Sequence, residues 1–206
     1  MAKAMTAQKT VTPSAEGIAE AIRSAENTDG EKRGKKRGLP PVHLWNPPFC
    51  GDLDMRIARD GTWFYLGTPI GRKELVKLFS SILKLEDGKH YLVTPVEKVG
   101  ITVDDAPFVA VDFQVSGEGR DQVLTFTTQV EDQTVAGPEN GIRVERHSET
   151  GEPSPYVHVR AGLEALIDRK SFYRLVDLGQ DHDGWFGVWS GGEFFPIIPS
   201  KELDGL

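Results

Sequence analysis

Two pairs of basic residues stand where an anion could be held. Arg72-Lys73 and Arg169-Lys170 each open a stretch with helical apolar spacing. The first turn of a helix presents free backbone N–H groups and the positive end of the dipole. Basic residues there disfavour the helix by themselves, so they ask for a partner. That partner is either a carboxylate of this acidic chain or a phosphate on a ligand. Arg56 and Arg143 recur at matched places in two β-prone stretches and add two guanidinium groups to the set. Trp45, Tyr65 and Trp189 could supply a stacking face for a base. Asn46, beside Trp45, is counted with it as a ligand contact.

The acidic candidates carry less. Asp52 and Asp54 share one face of an extended strand, and with His43 they could hold a divalent cation. A hard cation usually takes more oxygen ligands than this, and Arg56 falls on the same face to pair with them. Asp52 and Asp54 are therefore kept as ligand contacts, and no metal or cofactor is assigned. Asp181-His182-Asp183-Gly184 has the composition of a hairpin turn rather than a ligand set. Cys50 is the single cysteine, which rules out an intrachain disulfide and fits a small buried residue. No catalytic residues are assigned, because nothing supplies a nucleophile, a base and an orienting group together.

The elements that position these residues read as one small unit used twice. Met55–Arg59, then Asp60-Gly61, then Thr62–Leu66 reads as a hairpin with both turn residues at positive φ. Leu75, Leu78, Phe79, Ile82 and Leu83 form a helical stripe, with Gly71 as N-cap. Asp87-Gly88 closes that helix before a strand, His90–Val93. Blocks of the same kind recur in order. Met55–Arg59 matches Ile142–Arg146, Ile70–Phe79 matches Ile167–Val176, and Asp87-Gly88 matches Asp183-Gly184. Repeats of this kind decide the fold. The fold class expected is α+β, with duplicated small β-hairpin/helix/β-strand units and mainly antiparallel sheets.

Around the repeat, residues 1–38 read as a weakly docked helix on Ile18 and Ile22 followed by a flexible basic linker, Lys32–Arg37. Residues 39–104 form the first repeat domain, and residues 105–206 the second, with an extra hairpin from Phe108–Val115 and Gln122–Thr127. Leu163–Ile167 reads as a short additional helix. The proline-braced stretch Leu39–Phe49 reads as a wall or lid, or as a cap on the edge of the first sheet made by Leu44 and Trp45. Residues 1–40 hold eight Lys/Arg against five Asp/Glu, and the remainder sixteen against twenty-six. An acidic body disfavours extended duplex nucleic acid. No apolar run spans a bilayer and no signal peptide is evident, so a cytoplasmic location is expected with no membrane partner.

The run LPPVHLWNPPFCGDLDMRIARDGTWFYLGTPIGR, followed by LVTPVEKVGI and DAPFVAVDF, resembles a bacterial family, domain of unknown function 1285, over nearly the whole chain after Gly38. The resemblance implies a duplicated core, a second half loosely like pleckstrin-homology folds, and a ligand pocket at the interface between halves. It also implies a nucleotide-like ligand and a role in signal transduction. It supplies neither an activity nor catalytic residues. The function expected is a non-enzymatic ligand-binding or signalling protein for a nucleotide-like or other phosphorylated ligand. The alternatives are a protein–protein interaction module with a signalling partner and a carboxylate-dependent hydrolase using Asp52 or Asp54.

Overall fold

A computed structural model describes residues 14–29 and 38–203. The basic run from Lys32 to Arg37 lies outside the described residues. Helix α1 (Ala15–Asp29) comes first. The first copy follows: β1 (Phe49–Ile57), β2 (Trp63–Tyr65), β3 (Thr68–Pro69), α2 (Lys73–Ser81), β4 (Leu83–Glu86), β5 (Lys89–Val93) and β6 (Lys98–Val103). Strands β7 (Phe108–Ser116), β8 (Val123–Thr128) and β9 (Gln133–Val135) come between. The second copy is β10 (Ile142–Arg146), β11 (Pro153–Arg160), β12 (Leu163–Ile167), α3 (Arg169–Val176), β13 (Gln180–His182), β14 (Trp185–Ser190) and β15 (Glu193–Pro199), with α4 (Ser200–Leu203) after it. Three strands, a helix and three strands thus appear twice in the same order. The class is α+β, built from duplicated units.

The pairing repeats as well. The first copy forms one sheet in the order β3-β2-β1-β6-β5-β4. In the second, β10-β11-β12 and β13-β14-β15 are separate meanders, and β10 lies against β15 as β1 lies beside β6. The free edge of β12 takes β7 in parallel, and β8 and β9 continue the sheet. Strand β9 touches β11, so this sheet curls on itself. The extra hairpin therefore joins the second copy's sheet.

Two-residue hairpin loops fix the register within each copy. Asp87-Gly88 joins β4 to β5 with φ 50° and 75°, and Asp183-Gly184 joins β13 to β14 with 49° and 82°. Leu66-Gly67 and Ala161-Gly162 do the same at β2–β3 and β11–β12. Paired positive φ is the type I′ geometry, whose twist matches the strands it joins.

The chain divides into two compact units, with boundaries after Asp54, Val76 and Ile101. In the unit holding residues 77–101, Phe79, Ile82, Leu83, Leu92, Val93 and Val99 are buried. In the other, β8 and β12 alternate buried and half-buried residues along their whole length, as half-exposed strands should. Phe108, Phe113, Phe126, Val157 and Ala165 fill its core.

Several expectations change. Asp60-Gly61 is not a paired-positive turn: Gly61 alone has positive φ, and Ala58 and Thr62 close a three-residue loop. Asp60 instead accepts the Thr62 N–H with its side chain. Helix α2 starts one residue later than Gly71 implied, since Arg72 O accepts from Leu75 and Val76. Strand β4 intervenes between that helix and Asp87-Gly88, so this pair turns a hairpin and does not end a helix. Leu163–Ile167 is strand β12, not a helix. Its apolar residues alternate, and Leu163, Ala165 and Ile167 point inward. Helix α1 docks firmly: Ala15, Ile18, Ala19 and Ile22 are all at most 5% exposed, because small alanines complete the stripe that the isoleucines begin. Cys50 is exposed, not buried.

Asp168 caps α3, with Oδ1 accepting the Ser171 N–H at 2.7 Å. Asp168→Ala should lower the unfolding free energy by about 1 kcal/mol in urea titration. At Gly187 a Cβ would sit 2.2 Å from the Phe195 carbonyl oxygen. Gly187→Ala should cost more, about 1–3 kcal/mol, and an equal or smaller loss than Asp168→Ala would contradict that packing.

Candidate functional site

The strand arginines are committed within the fold. Arg56 on β1 stands directly opposite Phe64 in the ladder, with its guanidinium 5.6 Å from the ring centre. Its Nε donates to Asp104 Oδ1 at 2.8 Å, and a second N–H bonds the other oxygen. That pairing holds the Asp104 carboxyl below its usual range. Arg143 on β10 repeats the arrangement. It stands opposite Tyr156, 4.2 Å above the ring. Its Nε donates to Glu164 Oε1 at 2.8 Å, with further bonds to Glu164 and Glu145. The matched arginines thus found carboxylates of the acidic body.

Tyr65 pairs with Met55 across the ladder and so lies on the opposite face from Arg56. Arg72 and Lys73 are exposed at the start of α2, with no partner among the described residues. Arg169, in the matched turn of α3, donates from Nε to the Tyr173 hydroxyl at 2.9 Å.

In the unit containing residues 77–101, Asp52 and Asp54 both face outward on β1, as alternation required. Asp52 lies against Gly100, where a Cβ would come within 2.1 Å of its Oδ1. Trp45 is half-buried and Asn46 exposed. The 3-10 turn Val42–Leu44 packs on β4, an edge strand, so the proline-braced segment caps that edge. The Lys84 ammonium reaches the Trp45 carbonyl at 3.4 Å and Glu86 at 2.7 Å, and Lys98 closes on the same Glu86. Leu44 does not take part in the cap: it is 72% exposed.

A cluster that residue types alone did not reveal lies on β13–β15. His182, Trp189 and Phe194 meet with ring centres 4.9–5.2 Å apart. Arg120, on the short turn between β7 and β8, places its guanidinium 4.9 Å from the Trp189 ring. Arg56, Arg143, Arg160 and Arg174 also lie on rings, and each pairs with a carboxylate. Arg120 has no hydrogen-bond or ion-pair partner among the described residues. Trp189 was visible in the sequence as a stacking candidate. Arg120 was hidden, because it sits in a glycine-rich turn and reaches Trp189 only through tertiary contact.

Asp105 ties the first hairpin to β11. It accepts the Tyr156 hydroxyl at 2.8 Å and lies 3.4 Å from Arg59, which also donates to Ser154. Burial, then the bond to Asp105, pushes the Tyr156 phenol up to about 12. An unfolded phenol ionises near 10, so this contribution to stability is complete below about pH 10 and lost as pH rises toward 12. Ultraviolet titration should show one late-ionising tyrosine that disappears in Tyr156→Phe. Simultaneous ionisation of all tyrosines near 10 in the folded protein would refute the buried bond.

The chain matches the model of the domain of unknown function (DUF1285) N-terminal domain over residues 40–106. Residues 107–197 match the protein of unknown function (DUF1285) C-terminal domain. A DUF1285 family protein from Silicibacter pomeroyi, with a crystal structure at 2.50 Å, shares 63% sequence identity at a TM-score of 0.84, over 94% of this chain and all of the other. A second DUF1285 family protein, from Shewanella baltica, shares 30% identity at a TM-score of 0.48, over 61% of this chain and 91% of the other. No curated protein matches the chain. With both domain models matched in sequence order and a relative alike across nearly its whole length, this chain belongs to the DUF1285 family.

Proposed function

We propose that this chain is a non-enzymatic binding protein of a signalling kind, whose ligand is a small phosphorylated molecule held through Arg120. The observation that carries this reading is the open guanidinium fork on Trp189. An arginine held in place by a ring keeps its N–H donors free for a bidentate oxyanion. The ring-stacked strand arginines Arg56, Arg143 and Arg160 have that need met by Asp104, Glu164 and Asp132. Arg72 and Lys73 are further exposed cations with no partner among the described residues. The exposed free thiol of Cys50 supports a reducing, cytoplasmic setting. A pleckstrin-homology-like character of the second half belongs to the same reading.

A protein-interaction role is the second reading, and one observation favours it. Leu44 stands 72% exposed on a segment stiffened by prolines and anchored to β4. That reading needs a partner that Leu44→Asp releases.

A thermal-shift panel of phosphorylated metabolites tests the first reading. At least one compound should raise Tm, by an amount equal to about 2.7 kcal/mol when present at a hundredfold excess over Kd. Arg120→Ala should abolish the shift while changing unliganded stability by less than about 0.5 kcal/mol, as at other surface sites. The double change Arg72→Ala/Lys73→Ala should leave the shift largely in place. If no phosphorylated compound stabilises the protein, the reading fails.

A further inference from the structure

We propose that His158 is a pH-sensitive latch on the β11–β12 hairpin. Neutral, it holds the hairpin tip closed; protonated, it releases the tip and pairs with Glu164.

The bonds around the imidazole fix which nitrogen carries the hydrogen. The Gly162 N–H donates to His158 Nε2 at 3.0 Å, so Nε2 presents its lone pair. His158 Nδ1 lies 2.7 Å from Asn140 Oδ1. The Asn140 side-chain amide donates to the Val135 carbonyl at 3.4 Å, which leaves its oxygen for the imidazole. Nδ1 therefore carries the hydrogen and donates it to Asn140. Asn140 in turn exchanges two backbone bonds of 3.1 Å with Gly137. One half-buried side chain thus spans from the Gly137–Asn140 loop to the hairpin tip.

The tip depends on that bond. Ala161 sits at φ 47° beside Gly162 at 79°, and in that region a Cβ crowds the following carbonyl oxygen. Both tip residues are exposed, so burial does not hold them. The ladder is also irregular just before the tip, between His158 and Arg160. An imidazolium donates from both nitrogens. A hydrogen on Nε2 would face the Gly162 N–H, donor against donor, and the bond must break.

Of the charges around the imidazole, Glu164 favours the cation. It stands directly opposite His158 in the ladder, where Cβ atoms lie about 5 Å apart, and it already pairs with Arg143 of β10. The other β10 charges, Glu145 and Arg146, lie opposite Ser154 and Pro153 at the other end of β11. On β11 itself, Tyr156 is bonded to Asp105 and Arg160 to Asp132. Strand β9 brings Gln133, Thr134 and Val135, all uncharged, and the Thr134 hydroxyl donates to the His158 carbonyl. Glu139, next to Asn140, is exposed. The imidazolium therefore turns to Glu164, in competition with Arg143. Imidazole charge ordinarily changes between about pH 5 and 8.

Nitrogen-15 NMR of the full chain across that pH range tests this. At the alkaline end His158 should show the Nδ1–H tautomer, and the Gly162 amide should be protected from solvent exchange. As pH falls, three changes should share one midpoint: protonation of His158, loss of Gly162 protection and movement of the Arg143 Nε–Hε signal. Glu164→Gln should move that midpoint to lower pH and leave the alkaline tautomer in place. His158→Phe should leave Gly162 unprotected at every pH. The wild-type titration decides the matter even where that variant fails to fold. An Nε2–H tautomer at the alkaline end would overturn the inference. So would a Gly162 amide that stays protected once His158 is charged. A midpoint unmoved in Glu164→Gln would overturn the pairing with Glu164.

Discussion

An arginine laid on the ring opposite it in the ladder, and closed by a carboxylate, organises the exposed sheet face in each copy of the repeat. Arg56, Phe64 and Asp104 do this in the first copy, and Arg143, Tyr156 and Glu164 in the second. These groups are partly exposed, so the ion pairs and stacked cations add little to stability. Their larger effect is on register. A slip of one residue would carry Arg56 to the face occupied by Met55 and Ile57, which are at most 1% exposed. The arginines therefore hold each first strand to one alignment with its neighbour.

That constraint decides which charges are available to anything outside the chain. The protein is acidic overall, with a formal net charge of −7, and its carboxylates have taken up Arg56, Arg143 and Arg160 on the strands. Arg174 is spent in the same way, since it joins α3 to β7 through Asp112 and the Phe113 carbonyl. Arg120 meets a ring and no acid; Arg169 also lies beside a ring but donates its Nε–H to the Tyr173 hydroxyl. A cation held by a ring is positioned without being neutralised, which is the condition an anion site requires.

Much of the architecture was legible in the residues, and the reasons are specific. The matched strand and helix blocks appeared because Arg56 and Arg143, and the Ile70 and Ile167 segments, kept their spacing. The Asp-Gly turns at Asp87 and Asp183 were recognisable as sites of positive φ. Leu66-Gly67 and Ala161-Gly162 adopt the same geometry but begin with residues that carry no such signal. Strands β3 and β12 were missed or misassigned as a result. Strand β4 was lost because Leu83 continues the apolar stripe of α2. The site was less legible than the fold. Arg56 and Arg143 were found by position, but whether a guanidinium faces an acid or a ligand depends on which distant carboxylate arrives beside it. Asp104 and Glu164 lie 48 and 21 residues away.

The central claim is that the repeated arginines serve the fold and Arg120 serves a ligand. Arginine Nε–Hε correlation spectra, recorded while a phosphorylated ligand is added, address it residue by residue. The account predicts that the Arg120 signal moves with ligand concentration while those of Arg56 and Arg143 stay in place. Movement of Arg56 and Arg143 with Arg120 unmoved would contradict it.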